Sequence, residues 1–416
     1  MPLSVTPLPG LPFGCRIEGL SLAEPLSSAD FALLAEAFHA YGVVILREQH
    51  GLHPREEVEL CRRMERLWSE TAAVIPERDP TSANLRGCNP PGFPEVAVLG
   101  NGEFADHFGL AGYISVQGPL NWHEEASLGW HPDGAYDGRE ENVLTCFCCY
   151  DSPSADSDAP VGVSRWPRPA GTERAGDEAV LRYPAGATLY ASTTAAFDLC
   201  TEEEKALLRS LQVRYFEKPT AMTRRTRDLY PIMDPAGIRP LHPPPGPEPE
   251  CELSFRAAGL NDDGSVKGGG SGGGGLPEYG RNDDAVEVFP VEPLVYRTAH
   301  GRESVRCHTV GMQRLEPLGA VGDDGAWGWE ESQALVAKVF GRAVLPEQVL
   351  VHDWRAGDVL LADNRTTLHS ATPSDVFAAA GVALADQGRR LIHRISLPSP
   401  LGAAPAPTAE WTGARL

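Results

Sequence analysis

Val349-Leu-Val-His-Asp-Trp354, Arg355-Ala-Gly-Asp358 and Val359-Leu-Leu-Ala362 form the stretch whose reading decides the fold. Two short runs of Val and Leu flank a tetrad carrying Gly and Asp, which predicts two strands joined by a hairpin turn. Working outward, further short strands are expected at Gly42 to Leu46, Val143 to Tyr150, Thr188 to Ala191, Val286 to Tyr296 and Ser304 to Val310. From Arg390 to Leu397 the pattern alternates, with Arg390, Ile392, Arg394 and Ser396 on one face and Leu391, His393, Ile395 and Leu397 on the other. Helical spacing is confined to a few segments. Phe31, Leu34 and Phe38 predict a helix from Ser28 to Tyr41, stopped by Gly42. Leu60, Met64 and Leu67 share a face of a helix from Pro54 to Trp68. Thr201-Glu-Glu-Glu204 makes a capping box ahead of Leu207, Leu208 and Leu211, and a last helix covers Glu330 to Phe340 and stops at Gly341. Strands and helices do not alternate as in a doubly wound sheet. The pattern predicts a mainly β fold with flanking helices, a jelly roll or double-stranded β-helix.

The chain of 416 residues is read as a single domain, with a low-complexity insertion at about 240–280. Pro243-Pro-Pro-Gly-Pro-Glu-Pro-Glu250 and Gly268-Gly-Gly-Ser-Gly-Gly-Gly-Gly275 mark that insertion, whose composition cannot bury a core. Thirty-six Lys and Arg against 57 Asp and Glu give a formal charge of −21, which excludes nucleic acid as a natural partner. It does not exclude a small anion, because a local pair of arginines outweighs a distant screened field. The nine cysteines lack metal-site spacing, and Cys146, Cys148 and Cys149 read as free thiols in a buried strand. The N-terminus shows no basic-then-apolar leader, and no apolar stretch is long enough to span a bilayer. The expectation is a cytoplasmic protein with a small-molecule substrate and no membrane partner; homo-oligomerisation stays open.

Trp130-His131-Pro132-Asp133 supplies an H-x-D pair. On a strand, residues i and i+2 point the same way, so both side chains can reach one ion. With His369 they would form a face of two imidazoles and one carboxylate, the donor set of mononuclear non-haem iron(II) sites. A zinc hydrolase could use the same donors but would need a general base nearby. The arginines at 390 and 394 share one strand face, an arrangement that is costly unless anions fill the space before it.

Context sharpens this reading. Upstream of His369 stands Trp354-Arg-Ala-Gly-Asp358, then Asp363-Asn-Arg365, and downstream stands Arg389-Arg-Leu-Ile-His-Arg394. Together with Gly14-Cys-Arg-Ile-Glu-Gly19 and Tyr41-Gly-Val-Val-Ile-Leu-Arg47, these motifs resemble the taurine and 2,4-D dioxygenase family of 2-oxoglutarate-dependent enzymes, from about residue 10 to about residue 398. The resemblance implies that His131, Asp133 and His369 bind Fe(II) and that Arg390 and Thr188 hold the distal carboxylate of 2-oxoglutarate. It implies that Arg394 contacts the proximal carboxylate or an anionic substrate group. Asp133 occupies the position that halogenases of the superfamily leave to a small residue, so hydroxylation is implied, with O2 consumed and succinate and CO2 released. Tyr113, Asn121, Trp122, His123 and Ser396 are candidate substrate contacts.

Leu46-Arg-Glu-Gln-His50 and Val349-Leu-Val-His-Asp-Trp354 are also similar to the fungal xanthine dioxygenase branch, which raises a purine-like heterocycle as the alternative substrate. Against it, Arg394 and Ser396 replace uncharged amides of that branch, so an anionic substrate is preferred. A catalytically silent jelly-roll binding protein is the other alternative. Longer stretches than the family pattern separate Asp133 from Thr188, Thr188 from His369 and His369 from Arg390.

Overall fold

A computed structural model describes residues 3–67, 90–93, 95–114, 130–133, 140–152, 161–168, 172–184, 186–215, 291–298, 300–308, 312–320, 325–371 and 389–400. The strands in the N-terminal half are β1 Ser4–Pro7, β2 Cys15–Glu18, β3 Val43–Leu46, β4 Ala97–His107, β5 Leu110–Ile114, β6 Glu140–Asp151, β7 Val161–Pro167, β8 Glu178–Pro184 and β9 Thr188–Ser192. Then come β10 Leu211–Tyr215, β11 Val291–Pro293, β12 Val295–Arg297, β13 Glu303–Val305, β14 Met312–Pro317, β15 Leu350–His352, β16 Val359–Asp363, β17 Thr367–Ala371 and β18 Arg390–Pro400. The helices are α1 Ser28–Tyr41, α2 Pro54–Glu65, α3 Thr193–Asp198, α4 Glu202–Arg209 and α5 Trp329–Ala343.

A large sheet, in the order β1-β2-β3-β16-β6-β18-β4-β5, faces a small one, β15-β9-β17. Every pairing in them is antiparallel except β2 with β3. Three apolar layers hold this arrangement. Val43, Ile45, Phe147, Cys149, Leu360 and Ile392 of the large sheet meet Tyr190 and Leu350 of the small one, with Trp354 beside them. The opposite face of the large sheet, including Val44, Cys146, Cys148, Leu361, Ile395 and Leu397, buries against Leu34 and Phe38 of α1 and Val58, Leu60 and Met64 of α2. Behind the small sheet, Leu189 and Ala191 pack with Val336, Val339 and Phe340 of α5 and with Val213 of β10. Each fully buried Val, Leu, Ile, Phe or Met among them contributes about 1.5–3 kcal/mol by leaving water. This is the expected jelly-roll architecture with helices outside.

Local chemistry explains the helix ends. Ser27 caps α1 by accepting from Asp30 N, and Gly42 ends it at φ 71°, a left-handed conformation that glycine adopts without strain. Thr201 and Glu204 close the expected capping box on α4, at 3.2 and 2.9 Å. Leu208 and Leu211 are buried there, whereas Leu207 is 37% exposed.

Several expectations need correcting. The tetrad Arg355 to Asp358 is not a hairpin: β15 pairs with β9 in the small sheet, and β16 pairs with β3 and β6 in the large one. It is a corner that carries the chain from one sheet to the other. Gly357 N donates to Cys149 O at 2.8 Å, and Cys149 N donates to Asp358 O at 2.8 Å, so the corner is stitched to β6. A Cβ at Gly357, whose φ is 85°, would lie 2.7 Å from His50 Nδ1. The strand expected at Val286 to Tyr296 is, from residue 291, two pieces that belong to different sheets. Helix α2 ends at Glu65, before Trp68, and α5 runs past Gly341 to Ala343, its tertiary burial outweighing the local glycine preference. The low-complexity insertion lies outside the described residues.

Candidate metal centre

His131 sits just ahead of β6 in sequence but is held by the small sheet. It forms an antiparallel bridge with His369 on β17, with His131 N to His369 O at 3.0 Å and His369 N to His131 O at 2.9 Å. That two-way backbone exchange puts the two imidazoles side by side, ring centroids 4.5 Å apart. Asp133 is placed by the Asp363-Asn-Arg365 motif. Asn364 Oδ1 accepts from Asp133 N at 3.1 Å, and Asn364 Nδ2 donates to Thr145 Oγ1 at 2.9 Å. Thr145 in turn donates to Asp133 Oδ2 at 2.9 Å, leaving Oδ1 to face the histidines. Asp133 Oδ1 lies 3.7 Å from His369 Nε2 and 4.0 Å from His131 Nε2.

One ligand atom from each of His131, Asp133 and His369 falls within 4.8 Å of the others, and all three residues are buried. Among the described residues no other such group of three donors occurs. Burial alone would raise the Asp133 carboxyl, but His369, Arg394, His131 and the Thr145 hydrogen bond together hold it well below the usual carboxylate range. Burial pushes His369 down to about 3, so its ring stays neutral with a lone pair to share. A buried carboxylate beside two imidazoles is a donor set that fits a divalent first-row metal.

The arginines come from the facing sheet. Arg394 Nη1 lies 3.7 Å from Asp133 Oδ1. Ser396, buried, stands directly across from Thr145 in the β18–β6 ladder. Arg390 has no ion-pair partner among the described residues, and its Nε is buried without a hydrogen-bond acceptor. Burial pushes its guanidinium pKa down, with Cys149 and Tyr190 the groups around it. Thr188 is buried on β9, and its Oγ1 accepts from Trp354 Nε1 at 2.8 Å. Spending its acceptor on Trp354 leaves the hydroxyl proton to donate elsewhere. A guanidinium unmatched among the described residues and a hydroxyl proton left to donate each suit a carboxylate ligand.

The other motif residues brace the frame. Asp358 forms an ion pair with Arg47 at the end of β3 and accepts from Arg355 N at 2.9 Å. Asp363 takes the Arg365 backbone N–H at 2.9 Å and its Nε at 3.0 Å.

Tyr113 lies on β5 across from Glu103, whereas Asn121, Trp122 and His123 lie outside the described residues. Three residues near the centre were not singled out from sequence. His308 is buried with its ring centroid 5.8 Å from that of His131, and burial, with His131 beside it, lowers it to about 3. Tyr190 stands opposite His369 in the β9–β17 ladder, and Thr145 supports Asp133. Their only signal was a place on strands already recognised.

The model of the taurine catabolism dioxygenase TauD, TfdA family matches residues 4–395. The alpha-ketoglutarate-dependent xanthine dioxygenase xanA of Emericella nidulans is 24% identical over 376 residues, covering 86% of this chain and 87% of the relative. An (S)-phenoxypropionate/alpha-ketoglutarate-dioxygenase of Sphingobium herbicidovorans is 23% identical over 364 residues, covering 88% of each. A crystal structure of a taurine dioxygenase from Burkholderia xenovorans superposes with a TM-score of 0.50 at 16% identity, covering 95% of this chain and 91% of the other, a likeness of fold. The chain therefore belongs to the TauD/TfdA family and is a 2-oxoglutarate-dependent dioxygenase, using Fe(II), 2-oxoglutarate and O2.

Proposed function

We propose that this enzyme hydroxylates a small anionic organic molecule at a centre where His131, Asp133 and His369 hold iron(II). Arg390 and Thr188 hold the distal carboxylate of 2-oxoglutarate, and Arg394 and Ser396 face the open side toward substrate. The observation that carries the substrate class is Arg394, whose guanidinium reaches the metal-facing oxygen of Asp133 from the opposite sheet. A cation at that distance attracts an anionic group to the reacting end of the cavity. Arg390 carries the co-substrate reading, because a guanidinium whose Nε is buried and that has no carboxylate of its own among the described residues is satisfied by one that arrives.

When bound, the iron with 2-oxoglutarate and O2 supplies the oxidising chemistry that inserts oxygen into a substrate C–H bond, releasing succinate and CO2. The chain's own residues position and shield. Thr145 and Asn364 fix the Asp133 carboxylate so that one oxygen faces the histidines. The β-bridge between residues 131 and 369 locks both imidazoles to one backbone unit. The apolar layer of Phe147, Ile392, Leu360 and Trp354 keeps water from the region between the sheets. We place the catalytic machinery in one domain spanning the chain. No described helix is long and apolar enough to cross a membrane, and we assign the enzyme to the cytoplasm.

A purine-type substrate is the second reading, favoured by the xanthine dioxygenases of fungi among the relatives. A panel of carboxylates, sulfonates and xanthine, scored by substrate-dependent succinate release, separates the two. Turnover of an anion that falls at least tenfold in Arg394→Gln supports the first. Turnover of xanthine alone, unaffected by that substitution, overturns it.

A further inference from the structure

Tyr190 is 0% exposed, and its hydroxyl makes no hydrogen bond among the described residues. A buried hydroxyl left in that state costs free energy, so the fold retains it against a penalty. Its position is specific. On β9 it lies two residues from Thr188, on the same face, and directly across from His369. Its ring sits 5.9 Å from the His369 ring, and it packs in the layer between the sheets with Ile392 and Cys149. Ile392, in the same apolar layer as Tyr190, is two residues from Arg390 on β18, so the arginine shares the strand face that is turned to Tyr190. Arg390 Nε on the facing strand is likewise buried without a partner. A hydroxyl donor and a guanidinium donor, both unmatched among the described residues and carried on the facing sides of the two sheets, call for one acceptor with several lone pairs. A carboxylate has them.

We propose that Tyr190 is a third anchor for the distal carboxylate of 2-oxoglutarate, donating its hydroxyl proton beside Arg390 and Thr188. The inference rests on the reading of Arg390 and Thr188 as the oxoglutarate site. The carboxylate would thereby satisfy two orphaned donors at once.

The test is calorimetric titration of 2-oxoglutarate into anaerobic, Mn(II)-loaded full-length protein, comparing wild type, Tyr190→Phe and Arg390→Ala. A parallel titration uses 2-oxobutyrate, an α-keto acid that lacks the distal carboxylate. A hydrogen bond to a charged group is worth enough that Tyr190→Phe should weaken 2-oxoglutarate by about tenfold or more. Binding of 2-oxobutyrate should be unchanged. The metal-free variant should melt no lower than wild type, because phenylalanine keeps the ring and removes an unsatisfied group. The proposal is overturned if Tyr190→Phe binds 2-oxoglutarate like wild type, or if it weakens both keto acids equally. If Arg390→Ala alone weakens 2-oxoglutarate, only the Tyr190 assignment falls. If neither substitution does, the oxoglutarate reading falls with it.

Discussion

Strand β18 has two buried polar faces, and they are built on opposite rules. On the face toward α2, His393 is fully buried and both ring nitrogens are engaged. Nδ1 meets Glu57 at 3.0 Å, and Nε2 meets His107 Nε2 at 2.7 Å. Tyr150 donates to Leu52 O at 2.6 Å and also reaches Glu57. On the face toward the small sheet, Arg394, the next residue, leans on Asp133 at 3.7 Å, and the donors of Arg390 Nε, three residues back, and of Tyr190 Oη on the small sheet lack acceptors among the described residues. The outer cluster closes its hydrogen bonds inside the protein and so holds α2 on the sheet. The inner one leaves donors open, which is what a ligand-binding surface requires and a structural core avoids. Satisfaction, rather than burial or charge, separates the two.

That contrast breaks most sharply at Asp133. Asp133→Ala should abolish stoichiometric iron(II) binding and turnover while the fold survives, as read by metal analysis and circular dichroism; wild-type turnover would refute the ligand assignment. Arg390→Ala should raise the oxoglutarate requirement about thirtyfold or more, a buried ion pair with the ligand being worth about 2–5 kcal/mol, with little change in denaturation midpoint. The outer face should answer the other way. His393→Leu strands Glu57 and His107, costing about 1–3 kcal/mol of stability in denaturant unfolding, with oxoglutarate affinity within twofold of wild type. Equal effects on stability and affinity from both substitutions would erase the distinction.

The smallest effect is on pH. Burial lowers His39 to about 4 and His107 to about 3, from an ordinary value near 6.5. Their folded pKa values are depressed, so the unfolded chain binds more protons in that window. Their contribution to stability is fully present above about pH 6.5 and is lost as pH falls toward 4 and then 3. The melting temperature of the metal-free protein should be level between pH 7 and 8 and decline from pH 6.5 to 5. A level profile down to pH 5 would contradict the buried, neutral state of these histidines.

Much of this was legible in the residues. The period-2 pattern of β18 assigned Arg390, Arg394 and Ser396 to one face and His393 to the other, and the facing cores bear that out. Spacing brought His131 and Asp133 together as a pair, and motif resemblance added His369. What local pattern could not give was which sheet a strand enters. The tetrad at Arg355 has the turn chemistry of a hairpin, yet its flanking strands diverge into two sheets, because Asp358 is claimed by Arg47 and Gly357 by β6. Nor could it show that Asn364 reaches across 231 residues to position Asp133, or that Tyr190 lies opposite His369. Such contacts depend on register between distant strands, which alternation within one strand leaves undetermined.

The most direct test of the centre is an anaerobic titration of iron(II)-reconstituted protein with 2-oxoglutarate, followed by visible absorption. The account predicts a weak charge-transfer band that grows with 2-oxoglutarate in the wild type and fails to form in His369→Ala. Iron that binds the wild type without any such band on adding 2-oxoglutarate would contradict it.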